Sequence, residues 1–238
     1  MKSQILAKLR RAPVLSKLDL ILTLLPALGW IAAVEARSTV ISPRCINHPE
    51  TCTQQSVLRW DRWTLGFGYD RAEEVSLATQ YVAGILALAA PLGMALAVRR
   101  KNPLPAFGTD LVVMVETISW NGLMNECARL LMERPRPFVY LHPIQGTDPA
   151  NYTSFYSGHT SFVTAISFAA IFTLMGRNAP PRLTQLLVGF CAALVLVTGL
   201  ARVLAGKHFP TDVLFAIPMA AMVAFLVASA HRERHTWP

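Results

Sequence analysis

Charge is scarce in this chain. Asp, Glu, Lys and Arg together make up 15% of 238 residues, where a soluble domain carries about a quarter. With 53% hydrophobic residues and a mean hydropathy of +0.39, that shortfall excludes an ordinary water-soluble fold. It points to a polytopic membrane protein. Acidic residues are the scarcer sign, 14 against 22 basic ones, for a formal net charge of +8. The basic residues stand in short clusters between apolar runs. That is the pattern of topology control and anion binding and not of a nucleic-acid-facing stripe, so no nucleic-acid partner is expected. Cysteines number four. No CxxC occurs and no Cys/His spacing fits zinc, so neither a metal nor another cofactor is expected. Cys127 and Cys191 lie in apolar segments. Cys45 and Cys52 lie in a polar loop, where they pair if the compartment is oxidising and otherwise stand as two free thiols. Internal repeats and low-complexity runs are absent, and the length leaves no room for a second globular domain.

What the chain does have is long apolar runs. Six of them, over 18–36, 75–98, 106–128, 158–176, 183–204 and 210–230, are long enough, or nearly so, to cross a hydrocarbon layer of ~30 Å as helices. The expected fold is all-α, a polytopic membrane bundle of about six transmembrane helices. Residues 1–105 hold two of these around a loop at 37–74, and 106–230 form a four-helix core, together a single domain. Asp19, Pro26 and Glu35 make the first run the weakest. Lys2, Lys8, Arg10, Arg11 and Lys17 precede it, and Val34-Glu35-Ala36 resembles a leader cleavage site. The charge inside that site argues for a retained helix. Basic residues at the N-terminus, Arg99-Arg100-Lys101, Arg177 with Arg182, and Arg232 with Arg234 fall on one side, expected to be cytoplasmic. The 37–74 loop then faces the periplasm of a bacterial inner membrane. Its Trp60, Trp63, Phe67 and Tyr69 either rest on the headgroup layer or fold into the loop. Ala83 with Ala87, and Ala89 with Gly93 and Ala97, give small-residue spacing for close helix packing. Asn178-Ala179-Pro180-Pro181 marks a tight turn.

Three stretches carry chemistry: Arg129-x6-Arg136-Pro137, Tyr156-Ser157-Gly158-His159, and Arg202-x5-His208-x3-Asp212. Six crossings return all three to the non-cytoplasmic face. Ser157 is placed to cap the fourth helix and Pro210 to open the sixth, so two positive helix ends point there. Arg129, Arg136 and Arg202 offer planar forks that match phosphate oxygens, with Ser157 and the Gly158 N–H beside them. His208 and Asp212, four apart, allow the carboxylate to fix one ring nitrogen and free the other as a nucleophile. His159 can protonate a leaving oxygen. Arg134 pairs with Glu133 or reaches a second phosphate. Glu126 orients Arg129, and Lys207 stands beside His208. His48, His142, His231 and His235 have no such setting and read as surface residues. Asp110, Glu116, Asn121, Asn125 and Glu126 are polar groups within a membrane helix. Glu116 is expected to serve packing, protonated or bonded to a neighbouring helix.

These three stretches resemble the type 2 phosphatidic acid phosphatase superfamily, which includes the vanadium haloperoxidases. The family pattern is Lys-x6-Arg-Pro, then Pro-Ser-Gly-His, then Ser-Arg-x5-His-x3-Asp, and the resemblance covers roughly 106–230. Arg129 stands where the family has Lys, Tyr156 where it has Pro, and Ala201 where it has Ser. The resemblance implies a metal-free double displacement. His208 attacks phosphorus with support from Asp212, and His159 protonates the leaving group and then activates water. The substrate is a membrane lipid phosphate or diphosphate, such as polyprenyl pyrophosphate, phosphatidic acid or phosphatidylglycerol phosphate. Transfer to an acceptor alcohol, or a non-catalytic binding or transport protein, are the alternatives.

Overall fold

A computed structural model of the chain describes residues 16–97 and 103–234. The residues Lys2 to Arg11, the Arg99-Arg100-Lys101 cluster and His235 lie outside the described residues. The long helices are α1 (Lys17–Glu35), α2 (Asp70–Ala97), α3 (Pro103–Met132), α4 (Gly158–Gly176), α5 (Pro181–Leu204) and α6 (Pro210–Arg234). No strand occurs among the described residues.

Local chemistry fixes the ends. Ser16 caps α1 in a reciprocal box with Asp19, which satisfies the free donors of the first turn. Ser157 caps α4, its side chain accepting from the Thr160 N–H. Pro181 and Pro210 each open a helix, where a missing N–H costs little. Asn178, at φ +52°, turns the chain between α4 and α5.

By length and composition α1, α2, α4, α5 and α6 are apolar enough to cross a membrane. Leu24, Leu25, Leu28, Leu186, Leu196, Leu200, Leu214 and Phe225 are exposed on them, as side chains facing lipid should be. α3 is the exception, and its surroundings explain it. It packs against α1, α2, α4 and α6, so its Asp110, Glu116, Asn121, Asn125 and Glu126 are buried in protein, not lipid. Gly122 lets α1 come close. A Cβ there would stand 2.3 Å from the Trp30 ring.

The main apolar core joins α2, α4 and α5 through Ala83, Ala87, Val163, Ile166, Ala170, Leu187 and Leu194. Ala83 and Ala87 therefore form the expected seam. Ala89 and Gly93 are exposed and do not, because the α2 face they share turns away from its neighbours. A second cluster lies outside the bundle, where Ile41, Cys45, Cys52, Val139 and Tyr152 pack together. Cys45 and Cys52 are joined by a disulfide.

Helix direction alternates along the chain. The end of α1, the start of α2, the end of α3, the start of α4, the end of α5 and the start of α6 meet on one face. At the far end, Arg177 pairs with Asp110 at 2.6 Å, and His231 Nε2 lies 2.8 Å from Glu116. His231 is fully buried, so the surface reading is wrong. The basic neighbours at the end of α6 hid a residue that turns inward to a carboxylate. His48 and His142 are exposed.

Candidate active site

A cavity of about 370 Å³ opens where the six helix ends meet. Its walls include Arg37, Arg129, Arg136, Gly158, His159, Arg202 and His208. All three sequence stretches thus reach one space, and both imidazoles line it.

Each arginine is positioned by a different element. Arg129, in the last turn of α3, donates to Glu126 Oε1 at 2.5 Å, as expected of that pair. Glu126 is shared with Arg37, just beyond α1, which donates through Nε at 2.7 Å and through Nη2. Gly158 makes room for Arg129: a Cβ there would lie 2.5 Å from Nη2 of that guanidinium. Arg136 is anchored through its backbone N–H to the Asn151 carbonyl at 2.8 Å. Arg202 donates to Ser76 Oγ at 3.3 Å and lies 3.7 Å from Glu73, both on α2. Lys207 is bound to the same Glu73 at 3.2 Å and does not line the cavity.

The Nε atoms of Arg129, Arg136 and Arg202 are buried and have no hydrogen-bond partner in the protein. A buried donor left unmade costs about 1–3 kcal/mol, more when charged. All three belong to residues that line the one cavity. The crowding has an electrostatic signature. Burial first, and then Arg129 and Arg202, push Arg136 down to about 10. An anion seated between these groups would reverse that pressure.

His208 is fully buried in the turn between α5 and α6. Its Nδ1 lies 2.7 Å from the Ser154 carbonyl, and 3.7 Å from Asp212 Oδ2. The carbonyl is therefore the partner that fixes the tautomer, with Nδ1–H donating and Nε2 left with its lone pair. The sequence reading gave that task to Asp212. Asp212 instead accepts from Ser154 Oγ at 2.6 Å, from the Phe209 N–H at 2.9 Å and from Arg134 at 2.5 Å. Ser154 thus touches both, its hydroxyl on Asp212 and its carbonyl on the ring. Burial, then the charges of Arg202, Arg136 and Arg129, hold His208 well below its ordinary pKa, so the ring is neutral.

Arg134 corrects a second expectation. It binds neither Glu133 nor the cavity but sits between Asp61 at 2.7 Å and Asp212. Burial disfavours its charge, but Asp212 and Asp61 outweigh this and raise its pKa. Tyr156, in the place of a proline, is buried against Phe155 and Phe215, and its carbonyl accepts from Asn125 at 2.8 Å. Ala201 is buried. Arg202 takes its hydroxyl contact from Ser76 on α2, not from the preceding residue.

Arg37, Asp61, Glu73, Ser76 and Ser154 were missed in the sequence. Helical spacing within α2, Glu73 and Ser76 three apart facing one side, was the one available signal.

Comparison with known proteins identifies the family and the fold. Residues 110–236 match the PAP2 superfamily. Undecaprenyl-diphosphatase BcrC of Bacillus subtilis (strain 168) is 34% identical over 105 residues, which are 44% of this chain and 49% of that protein. The chain thus matches about half the length of this curated relative. The crystal structure of the first transmembrane PAP2 type phosphatidylglycerolphosphate phosphatase from Bacillus subtilis superposes with a TM-score of 0.50. The superposition covers 87% of this chain and 96% of that one at 15% identity. That likeness speaks for the fold.

Proposed function

Because the chain belongs to the PAP2 superfamily, we propose that it releases phosphate from a membrane lipid at the non-cytoplasmic face, through a phosphohistidine on His208. One observation carries the reading. Arg129, Arg136 and Arg202, each with a buried Nε that has no protein partner, line one cavity together with the His208 and His159 rings.

The steps follow from these groups. Nε2 of His208 attacks phosphorus and forms a P–N bond as the bond to the lipid oxygen breaks. His159 gives its proton to the departing lipid alcohol or lipid phosphate. Water then loses a proton to His159, attacks phosphorus and breaks the P–N bond, releasing phosphate and restoring His208. Arg129, Arg136 and Arg202, with Ser157 and the Gly158 N–H, hold the equatorial oxygens and meet the charge they gain in the transition state. The positive ends of α2, α4 and α6 face the same place.

A lipid diphosphate is the favoured substrate. Arg37, Arg129, Arg136 and Arg202 face the cavity against one carboxylate, Glu126, a surplus that suits more than one phosphate group. BcrC, the relative above, is by name a diphosphatase. The Cys45–Cys52 disulfide belongs to an oxidising compartment, and it lies on the side of the site.

The test is purified protein on polyprenyl diphosphate and on phosphatidic acid, with free phosphate measured in the presence of EDTA. Wild type is expected to release phosphate and His208→Ala to lose about four orders of magnitude or more, as the removal of a nucleophile does. Acid-labile, base-stable label trapped from radioactive substrate should vanish in that variant. Release by His208→Ala at the wild-type rate would falsify the assignment. Label passing to an added alcohol in place of free phosphate would make the protein a phosphotransferase.

A further inference from the structure

The matched family segment begins at residue 110, yet one buried carboxylate from far upstream reaches the site's supports. We propose that Asp61 is a positioning residue that fixes the ring of His208 through Arg134 and Asp212. The inference rests on reading His208 as the nucleophile.

Asp61 lies in the loop before α2 and is fully buried. Its Oδ2 accepts from Arg134 Nη2 at 2.7 Å and from Thr211 Oγ1 at 2.6 Å, and its Oδ1 accepts from the Thr211 N–H at 3.1 Å. It therefore caps the first turn of α6 from a distant part of the chain, where free N–H groups need an acceptor. It also anchors one arm of Arg134. The other arm binds Asp212 Oδ1 at 2.5 Å and Thr211 Oγ1 at 2.8 Å, and the guanidinium rests 4.3 Å above the Phe209 ring. From Asp212 the chain of contacts runs to Ser154 Oγ, and from the Ser154 carbonyl to Nδ1 of His208. The Ser154 N–H donates back to the Arg134 carbonyl at 3.0 Å, which closes the circuit.

The geometry gives Asp61 a task beyond holding the loop. Arg134 has two carboxylates and is pulled by both. If Asp61 loses its charge, the guanidinium is drawn to Asp212 alone, and the donors to Asp212 must be redistributed. Ser154 is the group that responds, and it decides which nitrogen of His208 bears the proton. With the proton on Nε2 the ring's lone pair sits on Nδ1, against the Ser154 carbonyl and away from phosphorus. A misplacement of about 1 Å alone costs roughly a hundredfold in rate.

The experiment compares wild type with Asp61→Asn, purified in detergent as the full chain. Hydrolysis of polyprenyl diphosphate should show kcat reduced roughly 10- to 100-fold with KM within about twofold, because Asp61 does not line the cavity. Nitrogen-15 histidine NMR supplies a readout independent of turnover. Wild-type His208 should carry its proton on Nδ1 alone, and Asp61→Asn should populate both tautomers. A folded Asp61→Asn protein with an unchanged tautomer, or with wild-type kcat, overturns the proposal. If that variant does not fold, Thr211→Val removes one Asp61 donor while keeping the side-chain shape. It should shift the tautomer in the same direction, and no shift there also overturns the proposal. Should wild type itself release no phosphate, the phosphatase reading fails, while the tautomer comparison still judges Asp61.

Discussion

At the residue scale the site is a contest between burial and charge, and glycine settles part of it. Gly158 has no side chain, so the Arg129 guanidinium can lie over the first turn of α4. In Gly158→Ala the new methyl would stand 2.5 Å from Nη2 and 3.2 Å from Asn125 Oδ1. The guanidinium is the far end of a flexible side chain and will move, so stability should change little. Phosphate contact should not survive the move. We expect kcat/KM to fall at least about tenfold, given what one lost oxyanion donor costs, with a melting temperature near wild type. A large melting shift with unchanged kcat/KM would contradict this. His208 makes a second prediction. Its pKa is held below the ordinary value of about 6.5, first by burial and then by three arginines. The unfolded chain therefore binds the extra proton first as the pH falls. The folded state should lose stability from about pH 6.5 downward and show no such loss above it. In the folded protein the ring resonance should stay neutral through pH 6.5, and a midpoint at or above that value would refute the burial argument. Arg136→Gln removes one of the three repelling charges and should move the midpoint upward.

At the element scale, α3 is where hydropathy alone falls short. The apolar runs in the sequence marked all six helices, because a membrane demands length and greasiness in one segment. The polar groups of α3 could be flagged as suspects but not placed, since their partners come from elsewhere: Arg37 from beyond α1, Arg177 from α4 and His231 from α6. The same limit explains the misplaced His231 and the α2 stripe that faces outward. Periodicity says that residues share a face and is silent on what covers it. The joint between α1 and α3 can be tested. Trp30 lies flat on Gly122, where a Cβ would meet ring atoms at 2.3 to 2.6 Å. The indole is rigid and only half-buried, and Gly122→Ala should push it and α1 outward, at about 1–3 kcal/mol by the usual cost of overpacking. Arg37 follows directly on α1, so the shift should also loosen Glu126 and raise KM. Trp30→Ala in the same chain removes the obstacle. If the double variant melts no higher than Gly122→Ala alone, close packing at this joint is not what the alanine disturbs.

At the scale of the whole molecule, alternation of helices carried much of the functional argument. Counting crossings was enough to bring Arg129, Arg136, His159, Arg202 and His208 to one face. It could not show that the loop before α2 would reach into the same network, because Asp61 meets Arg134 and Thr211 across separations of 73 and 150 residues. Nor could it choose between a disulfide and two thiols for Cys45 and Cys52. The fold makes that choice consequential. The bonded pair packs with Ile41, Val139 and Tyr152, and the Cys45 N–H donates to the Tyr152 hydroxyl at 3.1 Å. Tyr152 follows Asn151, whose carbonyl holds the Arg136 backbone. A bridge closing so short a loop contributes roughly 2–3 kcal/mol by the chain-entropy relation. Its loss should loosen the seat of Arg136 while the bundle stays folded. We therefore expect reduction, or Cys45→Ser with Cys52→Ser, to leave the helical circular dichroism intact and to raise KM several-fold. The same pair reports orientation. Cys127 is exposed on α3 and Cys191 is buried, so a Cys127→Ser chain leaves the bridge, buried under its loop until it is opened, as the sulfur outside the bundle. A membrane-impermeant maleimide applied to intact cells should label that chain only after an impermeant reductant has opened the bridge. Labelling without reductant would mean free thiols. Labelling that appears only once the cells are broken would put the loop, and with it the cavity of arginines and histidines, on the cytoplasmic side.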